Sequence, residues 1–115
     1  MNEYEMLIAE AKALLAEAPG AQQVIVVRSA KGNIYHLANT CVETSADEDC
    51  YLDLLRDADD TAVAALVCMW KDGTLDVPSM HFRKGLLALN PANAAAELPL
   101  QSLHCLTVKR LEALV

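Results

Sequence analysis

Aromatic side chains make up only 4% of this chain. Binders of single-stranded nucleic acid stack bases on aromatic platforms, so the scarcity argues against that class. Basic residues are also few: Lys and Arg number 9 against 16 Asp and Glu, for a formal net charge of -7. No basic stripe is visible. Phosphate neutralisation dominates nucleic-acid affinity, so no nucleic-acid partner is expected. No apolar run reaches membrane-spanning length, and the N-terminal pattern is an acidic amphipathic helix rather than a secretory leader. No membrane partner is therefore expected, and a cytoplasmic location is the simplest reading. The four cysteines, Cys41, Cys50, Cys68 and Cys105, form no CxxC pair, and their spacing fits no standard zinc motif. Reduced, mostly buried thiols are expected, with Cys50 and Cys68 in the core. Repeats, low-complexity tracts and linkers are all missing. The 115 residues suit a single domain, 1-115.

What the chain has is apolar residues of small size. They are 54% of it, with Ala, Leu and Val doing most of the packing. From Asn2 to Ala18, Met6, Leu7, Ala11, Leu14 and Leu15 recur at helical spacing, with Asn2 as a cap and Pro19-Gly20 as the stop. Gln23 to Arg28 is a β-branched run that reads as a strand buried on both faces. A turn over Ala30-Lys31-Gly32-Asn33 leads to a return strand from Asn33 to Leu37. Ser45 can cap a second helix running to Ala58, with Tyr51, Leu54 and Leu55 as its apolar face. Asp47, Glu48 and Asp49 fall in its first turn, where they complement the helix dipole. Thr61 to Trp70 is the strongest strand. Pro78 and Ser79 open a third helix bearing Met80, Phe82, Leu86, Leu87 and Leu89, which Asn90-Pro91 ends. Short strands are expected near Ala96–Leu98 and Leu103–Leu106, then a last helix capped by Thr107 with Val108, Leu111 and Leu114 on one face. A hairpin followed by alternating helices and strands implies a mixed sheet with helices on both faces.

Two stretches in this order carry a resemblance. Pro78-Ser79-Met80-His81-Phe82-Arg83 stands where a zinc-dependent nucleoside deaminase would carry Pro-Cys-x-x-Cys-Arg. Ser45-Ala46-Asp47 stands where such an enzyme would carry Cys-Ala-Glu. Each stretch opens a helix, as in that family. The chain resembles the cytidine deaminase-like superfamily over most of its length, as a degenerate member without the zinc ligands. The resemblance implies an α/β fold: a three-layer α/β/α cytidine deaminase-like fold with a mixed sheet. It also implies a homo-oligomer, a dimer or tetramer.

The departures bear on chemistry. Zinc deamination needs three thiolate or imidazole ligands, an open position for water, and a non-ligand Glu that moves protons. The matching positions here hold Ser45, Ser79 and Phe82, and Asp47 is one methylene shorter than Glu. Moving the register by one puts Glu48 in the base position but leaves Ala46 at the ligand position. Asn39 and Glu43 loosely echo the family's Asn-x-Glu substrate motif. No metal and no cofactor are therefore expected. Asn39, Asp47, Ser79 and Phe82 are the candidate binding residues. The plainer readings are that Asp47 meets the helix dipole, Ser79 is an N-cap, and Phe82 fills the metal's volume. His81 is expected on an exposed polar face. The main functional expectation is a non-catalytic, metal-free domain acting in binding or assembly. The alternative is a metal-independent enzyme using the same cleft, with Asp47, Glu48, Glu43 and Cys41 as acid, base or nucleophile candidates; a divergent deaminase comes last.

Overall fold

The run from Gln23 to Ser29 sets the frame of the molecule. In the computed structural model, which describes residues 3–101 and 106–114, this run is strand β1, and every residue of it except half-buried Arg28 is buried. Side chains alternate across a strand, so a strand with no polar face must be covered twice. Ile25 and Val27 join Leu37, Tyr51, Leu55, Phe82 and Leu86 on one side. Val24 and Val26 join Leu7, Ala11, Val67 and Met69 on the other.

The covering elements follow in chain order. Helix α1 (Glu3–Glu17) precedes β1 (Gln23–Ser29) and β2 (Ile34–Asn39). Helix α2 (Ala46–Asp57) leads to β3 (Val63–Trp70), a two-residue β4 (Leu75–Asp76) and helix α3 (Met80–Leu89). A 3-10 turn (Pro91–Ala95), β5 (Glu97–Gln101), β6 (Leu106–Arg110) and a second 3-10 turn (Leu111–Leu114) complete it. The sheet order is β2-β1-β3-β5-β6, with β4 paired to β3. β1 is antiparallel to both β2 and β3, whereas β3 and β5 are parallel. The sheet is therefore mixed. Leu7 and Ala11 of α1 pack on one face; Tyr51, Leu55, Phe82 and Leu86 of α2 and α3 pack on the other. The expected three-layer α/β/α architecture is the one observed.

The chain end departs from expectation. A helix starting at Thr107 is replaced by β6, which pairs with β5 from Glu97↔Arg110 to Gln101↔Leu106. Thr107 and Val108 are β-branched and favour the extended chain, and β5 offers them an open ladder. Leu111 is still fully buried, so its apolar spacing is used by a single 3-10 turn. Smaller departures are the extension of β2 to Asn39 and the 3-10 turn after α3, whose first amide, on Ala92, is capped by the Asn90 side chain. Leu54 and Met80 are exposed rather than core-facing. Cys50 is exposed as well, and Cys41 with it, so of the described thiols only Cys68 is buried. On α2 the inward arc belongs to Glu48, Tyr51, Leu52 and Leu55, which leaves positions 50 and 54 on the solvent arc. The expected Asn2 cap, His104, Cys105 and the strand from Leu103, except for Leu106 itself, lie outside the described residues.

Two buried polar side chains tie the end of the sheet away from the α2 and α3 starts. Asn93 is fully buried; its amide donates to the carbonyls of Thr61 (2.9 Å) and Leu86 (2.8 Å) and accepts from the Val63 amide (2.7 Å). It joins α3 to the entry of β3. Asp60 is buried beneath the β1–β2 turn and accepts from Asn33 Nδ2 (2.9 Å) and the Tyr35 hydroxyl (2.7 Å). Burial alone would raise the Asp60 carboxyl, but hydrogen bonds from Asn33, Tyr35 and Ser29, with the Lys31 charge, hold it below its ordinary value of 3.8.

Two outcomes follow for stability. Asn93→Ala removes the side chain's bonds to the Thr61 carbonyl and the Val63 amide, while the Leu86 carbonyl keeps the Asn90 amide, and is expected to cost on the order of 3 kcal/mol in urea unfolding, since each buried unpaired group costs about 1–3 kcal/mol. Because its folded value is lowered, Asp60 contributes stability that is complete above 3.8 and lost as pH falls through the folded value. Asp60→Asn is expected to flatten that part of the curve, as urea midpoints measured from pH 7 down to acid will show.

Candidate functional site

β2 and β3 both run antiparallel to β1, so their carboxyl ends emerge at the same edge of the sheet. Open α/β sheets gather their binding groups at such an edge. Here the segment after β2 enters α2 through Ser45, and the segment after β3 enters α3 through Pro78-Ser79. Two helix starts are thereby brought together from opposite ends of a 31-residue separation.

The contact between them is polar and buried. Ser79 is the N-cap of α3 and its hydroxyl oxygen accepts from the Phe82 amide at 3.1 Å. The same hydroxyl donates to the Glu48 carboxylate, with both oxygens at 2.9 Å. Glu48 is 3% exposed, so it is a carboxylate nearly withdrawn from water. Such a group is costly unless a donor faces it, and Ser79 supplies one. One turn deeper, the rings of Tyr51 and Phe82 stack with centroids 5.9 Å apart and planes 17° from parallel. Phe82 is wholly buried. Burial raises the Tyr51 phenol far above its usual range, and the backbone of Val27 offsets only part of this. Burial raises the Cys68 thiol as well, and the charges of Asp76 and Glu48 push it the same way, so Cys68 is not a thiolate.

The remaining candidates take different positions. Asp47 turns to the preceding loop and accepts from the Thr40 amide and hydroxyl, both at 3.1 Å. Asn39, at the end of β2, is 1% exposed. Its carbonyl accepts from the Cys41 amide at 3.2 Å, while its Nδ2 has no partner among the described residues. Cys41 and Glu43 are exposed. Ser45 is the N-cap of α2, but its hydroxyl makes no capping bond. A cleft of about 340 Å³ lies beside these groups, lined by Gln22, Val42, Trp70, Lys71 and Asp72. The Trp70 indole donates to Asp76 at 2.8 Å, which fixes the ring at its wall.

These residues do not suit zinc. Of the positions the motif reserves for ligands, two hold Ser79 and Phe82, and with Glu48 turned inward the other falls on Ala46. The Ser79 hydroxyl is already engaged with Glu48 and the Phe82 amide. Among the described residues, no three His, Cys, Asp or Glu side chains are grouped to hold a metal ion.

Sequence reasoning weighed Asp47 above Glu48 as the inward carboxylate, and the structure turns Glu48 in. It assigned Tyr51 only a generic apolar position. Its signals were present but local: an acidic first turn in α2 and a capping serine in α3. His81 is exposed, as its spacing indicates, and bonds across to Asp49 at 2.6 Å. This pairing was not foreseen, because the two residues are 32 positions apart.

No family model and no curated protein sequence matches the chain. Solved structures do. Cytidine deaminase from Mycobacterium leprae superposes with a TM-score of 0.74 at 12% identity, over 100% of this chain and 98% of that one. Cytidine deaminase from Bacillus anthracis gives 0.74 at 14% identity, over 98% and 86%. The Burkholderia pseudomallei enzyme gives 0.71 at 16% identity, over 100% and 97%. At these identities the likeness establishes the fold: the chain has the cytidine deaminase fold throughout.

The His81–Asp49 pair gives a measurable signature. The hydrogen bond that His81 donates to Asp49 raises its ring above the ordinary 6.5; burial opposes this, and the charges of Asp49 and Glu48 add to it. Its contribution to stability is therefore complete below 6.5 and fades as pH rises through the folded value. An NMR titration of the His81 ring is expected to move back toward 6.5 in Asp49→Asn.

Proposed function

We propose that this cytidine deaminase-fold chain is a non-catalytic, metal-free domain that acts in binding or assembly as a homo-oligomer. The observation that carries this reading is the state of Ser79 and Phe82. One is spent on a hydrogen bond to Glu48 and the other is fully buried against Tyr51. A neutral hydroxyl that already donates to Glu48 and accepts from the Phe82 amide is a poor zinc ligand, and a phenyl ring is none. Without a metal-activated water, the Glu48 carboxylate has nothing to deprotonate, and its contact with Ser79 is structural.

Assembly is supported by a face of the sheet that this chain leaves partly open. Leu98 of β5 packs toward α2 and α3. Its neighbours Glu97, Pro99 and Gln101 and their cross-strand partners Arg110, Val108 and Leu106 therefore point to the opposite side, where Pro99 is buried and the others are exposed. Leu106 and Val108 are 42% and 39% exposed there. A second copy of this chain is the occupant proposed. The chain's acidity, -7 overall, fits the absence of a nucleic-acid role. A cytoplasmic location accords with the free, exposed thiols of Cys41 and Cys50.

Two measurements test this. Elemental analysis of the purified chain is expected to find far less than one zinc per chain, and incubation with cytidine is expected to leave the substrate intact. One zinc per chain with turnover would sink the metal-free reading. Sedimentation is expected to show a dimer or tetramer that Val108→Glu dissociates into folded monomers; a wild-type monomer at high concentration ends the assembly reading.

A further inference from the structure

We infer that the adjoining starts of α2 and α3 form a rebuilt metal site, in which the Ser79–Glu48 hydrogen bond and the Tyr51–Phe82 stack join the helices that three metal ligands would otherwise join. The inference rests on the metal-free reading above and adds what took the metal's place.

The contacts form a ladder. Glu48 meets Ser79, and Tyr51 stacks on Phe82. A Cβ added at Gly85 would overlap the Leu52 side chain, so the next rung is a direct approach of helix backbone to leucine. On α3 the rungs are three residues apart, the interval that keeps side chains on one face, and on α2 Glu48, Tyr51 and Leu52 all belong to the inward arc. The two helices thus lie side by side with their N-terminal ends in register. Ser79 and Phe82, two of the positions where ligands would be expected, lie at this junction, and with Glu48 turned inward the third falls on Ala46, the first residue of α2.

The chemistry of the exchange is consistent rung by rung. Three cysteines without a metal would stay neutral thiols beside the Glu48 carboxylate, and a thiol is only a weak donor to it. A hydroxyl at 79 is neutral and donates to that carboxylate. A phenyl ring at 82 fills space, excludes water and finds an aromatic partner in Tyr51. The carboxylate is kept because the serine needs an acceptor, and the serine is kept because the buried carboxylate needs a donor.

Restoring ligands tests the geometry. In the triple variant Ala46→Cys, Ser79→Cys, Phe82→Cys, titration with cobalt(II) is expected to reach one equivalent per chain, with the intense visible bands of tetrahedral thiolate coordination. The wild-type chain is expected to show no such bands. A triple variant with the wild-type circular dichroism that takes up no cobalt overturns the inference. If the triple variant does not fold, a double-mutant cycle decides. Glu48→Leu and Ser79→Ala are each expected to lower the thermal midpoint by roughly 5 °C, and together by clearly less than the sum. Strict additivity overturns the inference. Zinc found in the wild-type chain counts against the reading of the previous subsection, whereas a cobalt-free triple variant or an additive cycle counts against this one alone.

Discussion

Strand β1 has almost no polar surface, and a strand of that kind cannot stand at the edge of anything. Its two faces must each meet an apolar layer, and its two sides must each meet another strand. The first requirement places α1 on one face and α2 with α3 on the other. The second places β2 and β3 alongside it, both antiparallel to it. Once β2 and β3 point the same way, the helices that follow them must begin at the same edge. The junction of α2 and α3 is a consequence of how β1 is buried.

That junction then meets its own constraint. The inward arc of α2 carries a carboxylate, Glu48, above Tyr51, Leu52 and Leu55. Roughly several kcal/mol separate a buried carboxylate that has a donor from one that has none. Ser79 resolves this with a hydroxyl that caps its own helix and bonds to the neighbouring one. The phenyl ring of Phe82 closes the space beneath. The result is a compact seam between two helix starts. In the fold it shares with cytidine deaminases, this chain uses that seam for packing and hydrogen bonding.

Much of this was legible in local pattern. The valine run of β1, the alternation that follows it and the Ser-opened α3 could be read directly, because helix and strand periods are properties of neighbouring residues. The chain's end was misread for the same reason. Val108, Leu111 and Leu114 have helical spacing, yet pairing with β5 outweighs it, and no local pattern reports a pairing partner. Asn93 and Asp60 were not singled out, because all but one of their partners, Leu86, lie 25 to 32 positions away. Asp47 was matched to the family's Glu, with Glu48 one register away, and the structure turns Glu48 in. One position is 100° on a helix, and only the packing of Tyr51 and Leu55 fixes which arc faces in.

The sequence by itself determined the fold class, the order of the main elements as far as β5 and the chemical character of the residues at the two helix starts. These depend on composition, periodicity and the identity of Ser45, Ser79 and Phe82, all of which are local. The tertiary structure decided which carboxylate is buried, what it bonds to, and that Phe82 stacks on Tyr51. Those facts depend on how two helices 31 positions apart are rotated and brought into register, and that is set by the sheet they share.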